Sequence, residues 1–543
     1  MKNAKTSTIL LLASITLALG ILLGAVASRQ NSQSKQAGYI SNNKLNEIWN
    51  MVSSQYVDDI SNDSLQDKMF AAMLSSLDPH SRYMTAEEMR REEENLRGNF
   101  EGIGLTLRII NDTVCVGQVL PGSPSSSSPI AAGDQILTVD DTVVSGVKRS
   151  LDKTVNIIRG PRGSAVSLEV LHYGNPEPAR VTIRRDVIKT HSVVFNDMID
   201  SETGMIKISQ FDNTTAKEFH NALRDLNKRG MKRLVLDLRG NGGGLLSAAI
   251  SVCNELLPKN KLIVYTKGEH QRRSDIRSHS GGLFTEGELM VLIDEFSASA
   301  SEIVAGAVQD NDRGIIAGRR SFGKGLVQTQ FPLSDNSAIL LTTSRYYTPS
   351  GRCIQRPYDK GTDKYYADFV EQVASEYDND TTPTRIADST PYKTSTGRIV
   401  YGGGGICPDY IISITTDSTL IYFNKLANKG LFVKRASEIV AAQGNAIKQK
   451  HSSASYFAKQ FSVSNKDLEA IFDEGVRKGI ARDDKSINAH RVEMMTLLKA
   501  HIAEMLYSSE AFIKVELDAD KDFQDALRYF NTHKISQMQN TSK

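Results

Sequence analysis

The chain has 543 residues, with 65 Lys and Arg against 63 Asp and Glu and a net charge of +2. A chain of this length holds roughly three or four folded units, and 24% charged and 40% hydrophobic residues are typical of a water-soluble globular protein. Near-neutral charge argues against a nucleic-acid-binding protein, which needs a basic face. Four cysteines without Cys-x-x-Cys spacing argue against a zinc or thioredoxin-like site.

The first 28 residues contain a long apolar segment. Ile9 to Ala27 is almost wholly apolar and follows two lysines, so it can cross a bilayer as a helix with its N-terminus in the cytoplasm. Ala25-Val26-Ala27 also fits the small-x-small site of a removable signal peptide. Residues 1–28 are therefore predicted to be either a signal peptide cleaved near Ala27 or a membrane anchor formed by residues 9–27. Both place the remaining chain on the extracytoplasmic, periplasmic side.

Residues 37–97 are predicted to form a helical N-terminal region. Leu45, Ile48 and Val52 recur at the spacing of one helix face, and a second run of this kind follows. The pattern ends at Leu77-Asp78-Pro79-His80-Ser81, where the proline predicts a turn. The charged run from Glu87 to Glu94 is interpreted as a solvated helix face.

Residues 98–187 consist of short β-type runs separated by Gly and Pro. Gly102-Ile103-Gly104-Leu105 precedes a strand, and Gly133-Asp134-Gln135-Ile136-Leu137 follows; together they resemble a PDZ domain. In such a domain the loop of Gly102, Ile103, Gly104 and Leu105 binds the carboxylate of a peptide C-terminus through backbone N–H groups, while an open strand edge pairs with the peptide. The alternative is a β-domain with a glycine turn and no ligand.

Residues 188–356 alternate strands and helices and predict an α/β core. Leu234 to Leu238 is a continuous apolar run of the kind found in buried strands. A glycine-rich turn, which includes Gly242, Gly243 and Gly244, separates it from a helical stretch at Leu245–Leu257.

The remaining sequence is less informative. The polar stretch 357–400 shows little periodicity and is predicted to be an insertion or mobile loop, after which the core resumes over 401–415. Helical periodicity returns in residues 416–543, which predict a helical C-terminal domain without a chemical motif.

A serine-rich segment marks the candidate site. Asp294 to Glu302 lies where a buried strand gives way to a helix, and the positive field of a helix N-terminus stabilises negative charge there. Ser299 and Glu302 also fit a helix capping box, which would be purely structural. Lys324 is flanked by glycines, and Gln328 falls on the same face if the segment is extended. Since desolvation lets a lysine lose its charge, a Ser–Lys pair can replace Ser–His–Asp.

These motifs together resemble the C-terminal processing peptidases, or tail-specific proteases. The matching segments are Ser-Ala-Ser-Ala-Ser-Glu (297–302), Gly-Lys-Gly-x-x-Gln (323–328), Asp-Leu-Arg-x-Asn-Gly-Gly-Gly (237–244), Leu-Asp-Pro-His-Ser (77–81), the PDZ-like stretch and Tyr-Thr-Pro-Ser-Gly-Arg (347–352). The resemblance implies a mixed α/β multidomain fold: a crotonase-like ββα peptidase core with an inserted PDZ domain and helical N- and C-terminal regions. It also implies a serine endopeptidase that binds exported proteins by their C-terminal tails and cleaves them near the C-terminus through an acyl-enzyme.

The resemblance further assigns roles within the site. Ser299 corresponds to the nucleophile, Lys324 to the general base and Gln328 to the residue that orients Lys324. The backbone N–H groups of Ala300 and of a glycine in the 242–244 run, with Gly244 preferred, would form the oxyanion hole. No metal or cofactor is implied. The expected partners are protein substrates, together with a second copy of the chain or an adaptor that binds the helical ends. Contact with the membrane is expected only through the N-terminal segment.

Other interpretations of the motifs fit less well. A Rossmann site needs a third glycine at position 245, which is Leu245. A β-lactamase interpretation can cite Ser-x-x-Lys, but that pattern recurs elsewhere in the chain and Lys-Thr-Gly is absent. A Ser–His–Asp protease lacks a placed histidine, and His80 is interpreted as a structural loop residue. A non-catalytic PDZ scaffold that binds exported tails remains the alternative from a different functional class.

Two cysteines raise a separate hypothesis. Cys353 and Cys407 lie in the two family-matching segments that bracket the 357–400 stretch. Outside the cytoplasm they could form a disulfide at the base of the insertion, and two independent thiols are the alternative.

Overall fold

A computed structural model describes residues 40–172, 174–378, 390–413 and 417–533. The segment predicted to be a signal peptide or anchor lies outside these ranges; within them, no helix has the length and hydropathy needed to span a membrane. The chain divides into two compact units between Met73 and Leu74. The described part of the first unit is helical, as the apolar spacing predicted, and its helices are α1 (Ile40–Gln55) and α2 (Asn62–Ser75), the second of which ends just past the boundary.

The second unit begins with the Pro79 turn. The Asp78 carboxylate holds this turn, because it accepts the backbone N–H groups of His80 and Ser81 at 2.8 Å each. Strand β1 (Arg82–Met84) and helix α3 (Ala86–Arg97) follow. Thr85 and Glu88 form a capping box at the start of α3, and Gly98 in the left-handed conformation ends it.

A β-rich domain occupies the next stretch. Its elements are β2 (Asn99–Gly102), β3 (Leu105–Ile110), β4 (Thr113–Val119), a 3₁₀ turn (Pro124–Ser127), β5 (Gln135–Val139), β6 (Thr142–Val143), α4 (Leu151–Ile158), β7 (Ala165–Leu171), β8 (Ala179–Arg184) and β9 (Asp186–Lys189). The main sheet has the order β3-β4-β5-β7-β8, with β6 on β5. Strands β2 and β9 pair antiparallel and join the two ends of the domain. Along β7, buried Val166, Leu168 and Val170 alternate with half-buried residues, so one sheet face forms the domain core.

The α/β core is built on a six-stranded sheet with the order β10-β11-β12-β15-β16-β21. These strands are β10 (Val193–Met198), β11 (Thr203–Ile208), β12 (Arg233–Asp237), β15 (Glu288–Ile293), β16 (Ile315–Gly318) and β21 (Tyr410–Ile411), and all pairs except β10–β11 are parallel. Helices α5 (Thr215–Lys228), α6 (Leu246–Leu256) and α7 (Ala300–Asp310) cover one face. The loops after β12 and β15 leave the same edge of the sheet, so the glycine-rich turn and the serine-rich segment meet there.

A second sheet supplies the other wall of the core. Its strands are β13 (Leu262–Lys267), β14 (Ser274–Arg277), β17 (Leu326–Pro332) and β18 (Ala338–Tyr347), together with β1. Strand β18 pairs with β1, β13 and β17, so it joins the Pro79 turn to the segment that follows Lys324.

The expectation of a loop over 357–400 is wrong for much of that stretch. It contains helix α8 (Thr362–Asp378) and most of a hairpin of β19 (Pro391–Lys393) and β20 (Ile399–Tyr401). Helix α8 is held by its aromatic side chains: the Phe369 and Phe322 ring centroids lie 4.9 Å apart and those of Tyr365 and Phe322 6.1 Å apart. This tertiary packing compensates for the polar composition of the segment.

Of the two hypotheses for Cys353 and Cys407, the structure agrees with two independent thiols. The four cysteines all lie in the described ranges and form no disulfide bond, and Cys353 and Cys407 are half-buried. Backbone hydrogen bonds close the base instead: Gly403 N–H donates to the Cys353 carbonyl at 2.7 Å, and Gly405 N–H to that of Ile354 at 2.9 Å.

The C-terminal part is helical, as predicted. It comprises α9 (Leu420–Asn428), α10 (Leu431–Lys450), α11 (Ala454–Gln460), α12 (Asn465–Arg477), α13 (Asp484–Ala489), α14 (Arg491–Leu506), α15 (Ser509–Glu516) and α16 (Lys521–Thr532). Helices α9 to α15 share a hydrophobic core against which Ile110 and Ala132 of the β-rich domain pack. An ion pair of 2.9 Å between Arg108 and Glu504 lies at the same junction.

The last helix belongs to the α/β core rather than to the helical domain. Phe523, Ala526 and Phe530 of α16 pack on the sheet face opposite α5, α6 and α7, against Val235 and Leu292 among others. The six-stranded sheet is therefore covered on both faces only when the residues of α16 are in place.

Candidate active site

Ser299 lies at the turn between β15 and α7. Its backbone has φ 55° and ψ −110°, which is left-handed and unusual for a residue other than glycine. Such a conformation costs on the order of 1–3 kcal/mol and persists only where the surrounding structure imposes it. A serine on a sharp, strained strand-to-helix turn has the geometry of a nucleophile elbow. The backbone at Ser299 therefore has the conformation expected of a nucleophile, and its side chain is half-buried.

The glycine run after β12 approaches Ser299 closely. A Cβ atom on Gly243 would lie 2.8 Å from the Ser299 Cβ and 2.8 Å from the Ala298 carbonyl oxygen, so only glycine fits there. The Asn241 carbonyl ties the two segments together, since it accepts the Ala298 N–H at 3.0 Å and the Ser301 hydroxyl at 2.8 Å.

The N–H groups of this run differ in their availability. Gly243 N–H donates to the Asn241 side-chain oxygen at 2.9 Å. Across the described residues, the N–H groups of Gly244 and Ala300 have no hydrogen-bond acceptor. The two donors predicted for the oxyanion hole are thus free to bind a substrate oxygen, whereas Gly243 is not.

Glu302 joins the Ser299 segment to the Lys324 segment. One of its carboxylate oxygens, Oε2, accepts the backbone N–H of Ser299 at 2.7 Å and that of Lys324 at 2.9 Å. The other oxygen accepts the Gly323 N–H at 2.7 Å and the Ser321 hydroxyl at 2.6 Å. Complete burial raises the pKa of Glu302 to about 7, an effect that these four donors partly offset. The capping interpretation therefore describes only part of what Glu302 does.

Lys324 has an environment that favours its neutral form. Burial lowers the pKa of its ammonium group, and the nearby positive charge of Arg82 lowers it further, while Glu302, Asp78 and Glu92 act in the opposite direction. The Ser299 hydroxyl and the Lys324 ammonium nitrogen, both described, are not hydrogen-bonded to each other. Active sites without substrate often show such loose contacts, which tighten when substrate binds.

Gln328 lies on β17, four residues after Lys324, but the segment between them does not follow simple strand alternation. Strand β17 begins only at Leu326, and its register with β18 shifts between Val327 and Gln328. The Gln328 amide nitrogen donates to the Thr342 hydroxyl at 3.2 Å. Among the described residues the Gln328 side chain makes no other hydrogen bond, which leaves its amide oxygen able to accept one from a lysine.

A chain of hydrogen bonds links Gln328 to the Pro79 turn. The Thr342 backbone N–H donates to the Ser81 hydroxyl at 3.0 Å, and that hydroxyl donates to the buried Asp78 carboxylate at 2.6 Å. This turn, more than 200 residues away in sequence, thus supports the strand that carries Gln328 and gives the 77–81 motif a place in the site.

His80 lies closer to the site than its interpretation as a loop residue implied. Its ring nitrogen Nε2 is 3.2 Å from the Tyr365 hydroxyl, and its ring centroid is 6.4 Å from that of Phe322. Burial, followed by the charge of Lys324, lowers the pKa of His80 to about 4, so the ring is neutral at neutral pH. A neutral imidazole adds no charge beside Lys324, which is consistent with a positioning role.

The loop of Gly102, Ile103, Gly104 and Leu105 lies between β2 and β3 in the β-rich domain. The Ile103 and Gly104 carbonyls accept bonds from Ser125 and Leu120 at 3.0 and 2.9 Å, whereas the N–H groups of Ile103 and Gly104 have no acceptor among the described residues. Strand β3 is the edge strand beside this loop. Free N–H groups next to an open strand edge are what capture of a peptide C-terminus requires.

Among the described residues, no group of three or more His, Cys, Asp or Glu side chains could hold a metal ion. The site as described consists of a serine, a lysine, an amide and backbone N–H groups.

Comparisons with known proteins agree with this organisation. Peptidase family S41 matches residues 202–363, a PDZ domain matches 95–171, and a family of unknown function (DUF8443) matches 422–508. The chain is 37% identical over 347 residues to a carboxy-terminal-processing protease of Bartonella bacilliformis, with 62% of this chain and 78% of that protein aligned. It is 32% identical over 349 residues to the carboxy-terminal processing protease CtpA of Bacillus subtilis, with 64% and 74% aligned. Identity to a carboxyl-terminal-processing protease of Synechocystis is 33% over 365 residues, with 63% and 84% aligned.

Proposed function

Since this chain belongs to the carboxy-terminal-processing proteases of peptidase family S41, with a PDZ domain and a helical C-terminal region, we propose that it is a serine endopeptidase with Ser299 as nucleophile and Lys324 as general base. The observation that carries this proposal is the bridging position of Glu302. One buried carboxylate oxygen fixes the backbones of both residues at once, at 2.7 and 2.9 Å. A serine outside the active site would have no need of such a link to a desolvated lysine.

The proposed reaction proceeds through an acyl-enzyme. Neutral Lys324 takes the proton of the Ser299 hydroxyl as Oγ attacks the scissile carbonyl carbon. The N–H groups of Gly244 and Ala300 bind the oxyanion, a contribution typically of about 3 kcal/mol per donor. The protonated Lys324 then gives its proton to the leaving amine. Water, with Lys324 again as base, releases the acyl group and regenerates the serine.

We assign substrate capture to the PDZ domain. The free N–H groups of Ile103 and Gly104 would bind the terminal carboxylate, and the extended tail would add to the edge of β3. Neither contact needs a strongly charged surface, in keeping with the net charge of +2. Gln328, supported by Thr342, would orient the Lys324 amine toward Ser299.

The location and partners of the protein are proposed from its sequence. The apolar N-terminal segment is the basis for placing the enzyme outside the cytoplasm, either anchored by residues 9–27 or released after cleavage near Ala27. Dimerisation or adaptor binding through the helical ends stays a prediction from sequence.

A comparison of Ser299→Ala with wild type separates the peptidase from the scaffold alternative. We expect the variant to bind a protein with an unstructured C-terminal tail as tightly as wild type and to release no fragment, with Lys324→Ala giving the same result. Ser274→Ala, an exposed serine of β14, serves as the control and should cleave normally. Cleavage that survives Ser299→Ala would refute serine catalysis, and tail binding without cleavage by wild type would support the scaffold.

A further inference from the structure

The start of helix α16 faces the two loops that carry the site. Asp520 is the N-cap of this helix, and its side chain accepts the Phe523 N–H at 2.9 Å. Phe523, Ala526 and Phe530 then fix the helix on the core sheet. The first residues of α16 thus have a fixed position at the end of the sheet, outside the three segments that the family models match.

Asp520 contacts the arginine that precedes the glycine run. Its two carboxylate oxygens accept hydrogen bonds from Arg239 at 3.1 and 2.7 Å. Arg239 also donates to both oxygens of the buried Asp237 at the end of β12, at 3.0 and 2.8 Å. Because Gly240 follows Arg239 directly, this arginine fixes the point at which the glycine run leaves the sheet. We call this run, residues 240–244, the oxyanion loop.

Asp522 makes the equivalent contact to the serine-rich segment. Its carboxylate accepts a hydrogen bond from Arg319 at 2.5 Å, and the same guanidinium donates to Glu295 at 2.7 Å. Glu295 is four residues before Ser299. Arg319 also binds the Ile293 carbonyl at the end of β15 through its backbone N–H, at 3.1 Å. One arginine therefore ties α16 to the start of the turn between β15 and α7, residues 294–299, which we call the nucleophile turn.

Arg239 and Arg319 have the same kind of electrostatic environment. Each guanidinium is mostly buried, with 14% of the Arg239 and 15% of the Arg319 side chain exposed, and each lies between one carboxylate of the core and one of α16. Burial lowers the pKa of both arginines, but the two carboxylates beside each of them raise it by more, so both stay charged. Ion pairs shielded from water in this way constrain geometry more than exposed pairs do.

We propose that Asp520 and Asp522 are positioning residues of the peptidase, which hold the oxyanion loop through Arg239 and the nucleophile turn through Arg319. The inference rests on the proposed function, because it assumes that these two loops perform the reaction. Neither carboxylate touches substrate. Their effect is on the relative placement of the Gly244 N–H and the Ser299 hydroxyl, where errors of about 1 Å can lower the rate about 100-fold.

Asp525 offers a matched control on the same helix. Its carboxylate accepts the Tyr410 hydroxyl at 2.9 Å, so it also ties α16 to the core, but through β21 rather than through either catalytic loop. If α16 only stabilised the fold, Asp525→Asn would lower kcat as much as Asp520→Asn or Asp522→Asn. If Asp520 and Asp522 are positioning residues, their variants lower kcat and Asp525→Asn does not.

The experiment compares Asp520→Asn, Asp522→Asn, the double variant and Asp525→Asn in the full chain. For each variant, kcat and KM are measured with a substrate protein that has an unstructured tail, and the thermal unfolding midpoint of the variant itself is recorded. We expect kcat to fall about tenfold in each single variant of the pair and more in the double variant. KM should change less than about twofold, since the loop proposed to bind the tail belongs to the PDZ domain and not to either catalytic loop. Asp525→Asn should keep wild-type kcat even if it lowers the unfolding midpoint.

Conservative variants keep the test valid if an Asn variant fails to fold. Asp520→Glu and Asp522→Glu retain the charge with one added methylene, and they should recover most of the kcat. Equal losses of kcat in Asp525→Asn and in the pair, or wild-type kcat in the double variant, would overturn the positioning role. Ser299→Ala, run alongside, tests the underlying reaction: if cleavage survives it, serine catalysis and this inference both fail, whereas full kcat in the double variant refutes the positioning role alone.

Discussion

The hydroxyl of Tyr346 lies 2.6 Å from the carbonyl oxygen of Lys324, to which it donates a hydrogen bond. The same hydroxyl is 3.2 Å from the carbonyl oxygen of Ser299. Tyr346 is almost completely buried, with 1% of its surface exposed. The backbones of the proposed nucleophile and base are thus joined twice, through their N–H groups by Glu302 and through their carbonyl groups by Tyr346.

Tyr346→Phe removes this second link without changing the ring. We expect kcat to fall about tenfold, because the Lys324 and Ser299 carbonyls lose their shared donor and the two segments can shift. The free energy of unfolding should fall by only about 1 kcal/mol, the net value of one hydrogen bond. Steady-state kinetics and denaturant unfolding measure the two effects. Tyr347→Phe, at a ring that stacks on Tyr265, is the neighbouring control, and an equal loss of kcat there would contradict the prediction.

The activity should rise with pH through the pKa of Lys324. Below that pKa the ammonium form cannot accept the Ser299 proton, so the acid limb of kcat/KM reports the lysine. Burial is the main cause of the lowered pKa and Arg82 the next, so Arg82→Gln should raise the pKa and move the acid limb to higher pH. Glu92 acts in the opposite direction, and Glu92→Gln should move the limb to lower pH.

Salt provides the check on this pH prediction. The Arg82 side chain is 53% exposed and 3.6 Å from Glu92, so its field is screened by ions. Both shifts in the pH profile should therefore shrink as the ionic strength rises. Shifts of the same sign in the two variants would show that something other than the charge at these positions controls the acid limb.

Gly243→Ala tests the close approach of the glycine run to the nucleophile. The added methyl group would lie 2.8 Å from the Ser299 Cβ, in a backbone with φ 105° that side chains rarely adopt. We expect kcat to fall more than about 100-fold as Ser299 is displaced. Gly242→Ala is the control, because a Cβ there meets nothing within 4 Å and φ is not in the left-handed range. Comparable losses at both positions would contradict a specific clash with Ser299.

Gly104→Ala tests the capture of C-terminal tails. Its φ is 78° and an added Cβ would lie 2.1 Å from that of Ser123, so the loop must move. Because the loop has to shift to relieve this overlap, its N–H groups no longer face the tail carboxylate, and tail affinity should fall about tenfold or further. Gly122→Ala has nearly the same φ, 71°, but open space around it, and should retain affinity. Fluorescence anisotropy with a labelled tail peptide, and with its C-terminally amidated form, gives the readout.

The local elements of the core were predictable because their apolar spacing is regular. The strand predicted at Leu234–Leu238 is found at Arg233–Asp237, and the helix predicted at Leu245–Leu257 at Leu246–Leu256, since each buries a clear set of apolar side chains. Helix α8 was missed because polar and acidic residues dominate its composition. The four-residue spacing of Tyr365 and Phe369 was the available signal, and it acquires meaning only once Phe322 is known to lie beside it.

The residues that hold the site together were less predictable than those proposed to act in it. Ser299 and Lys324 stand out through their glycine and alanine neighbours, which are local features of the sequence. Glu302 suggested only a capping box, because nothing local indicates that its carboxylate also reaches the Lys324 backbone. Asp520 and Arg239 are 281 positions apart, and one aspartate among many in a helical region carries no sign of such a partner.

The position of α16 late in the sequence bears on how the protein is made. A nascent chain that has emerged as far as Lys324 already contains the proposed nucleophile, base and oxyanion donors. It still lacks β21 and the helix that covers Val235, Met290 and Leu292, so one face of its central sheet would be left open to water. Because the pairings of that sheet are parallel and long-range, we expect it to fold only once these last elements are present. Proteolytic competence would then arise only after residues 520–530 have been synthesised, so partial translation products would not become active proteases.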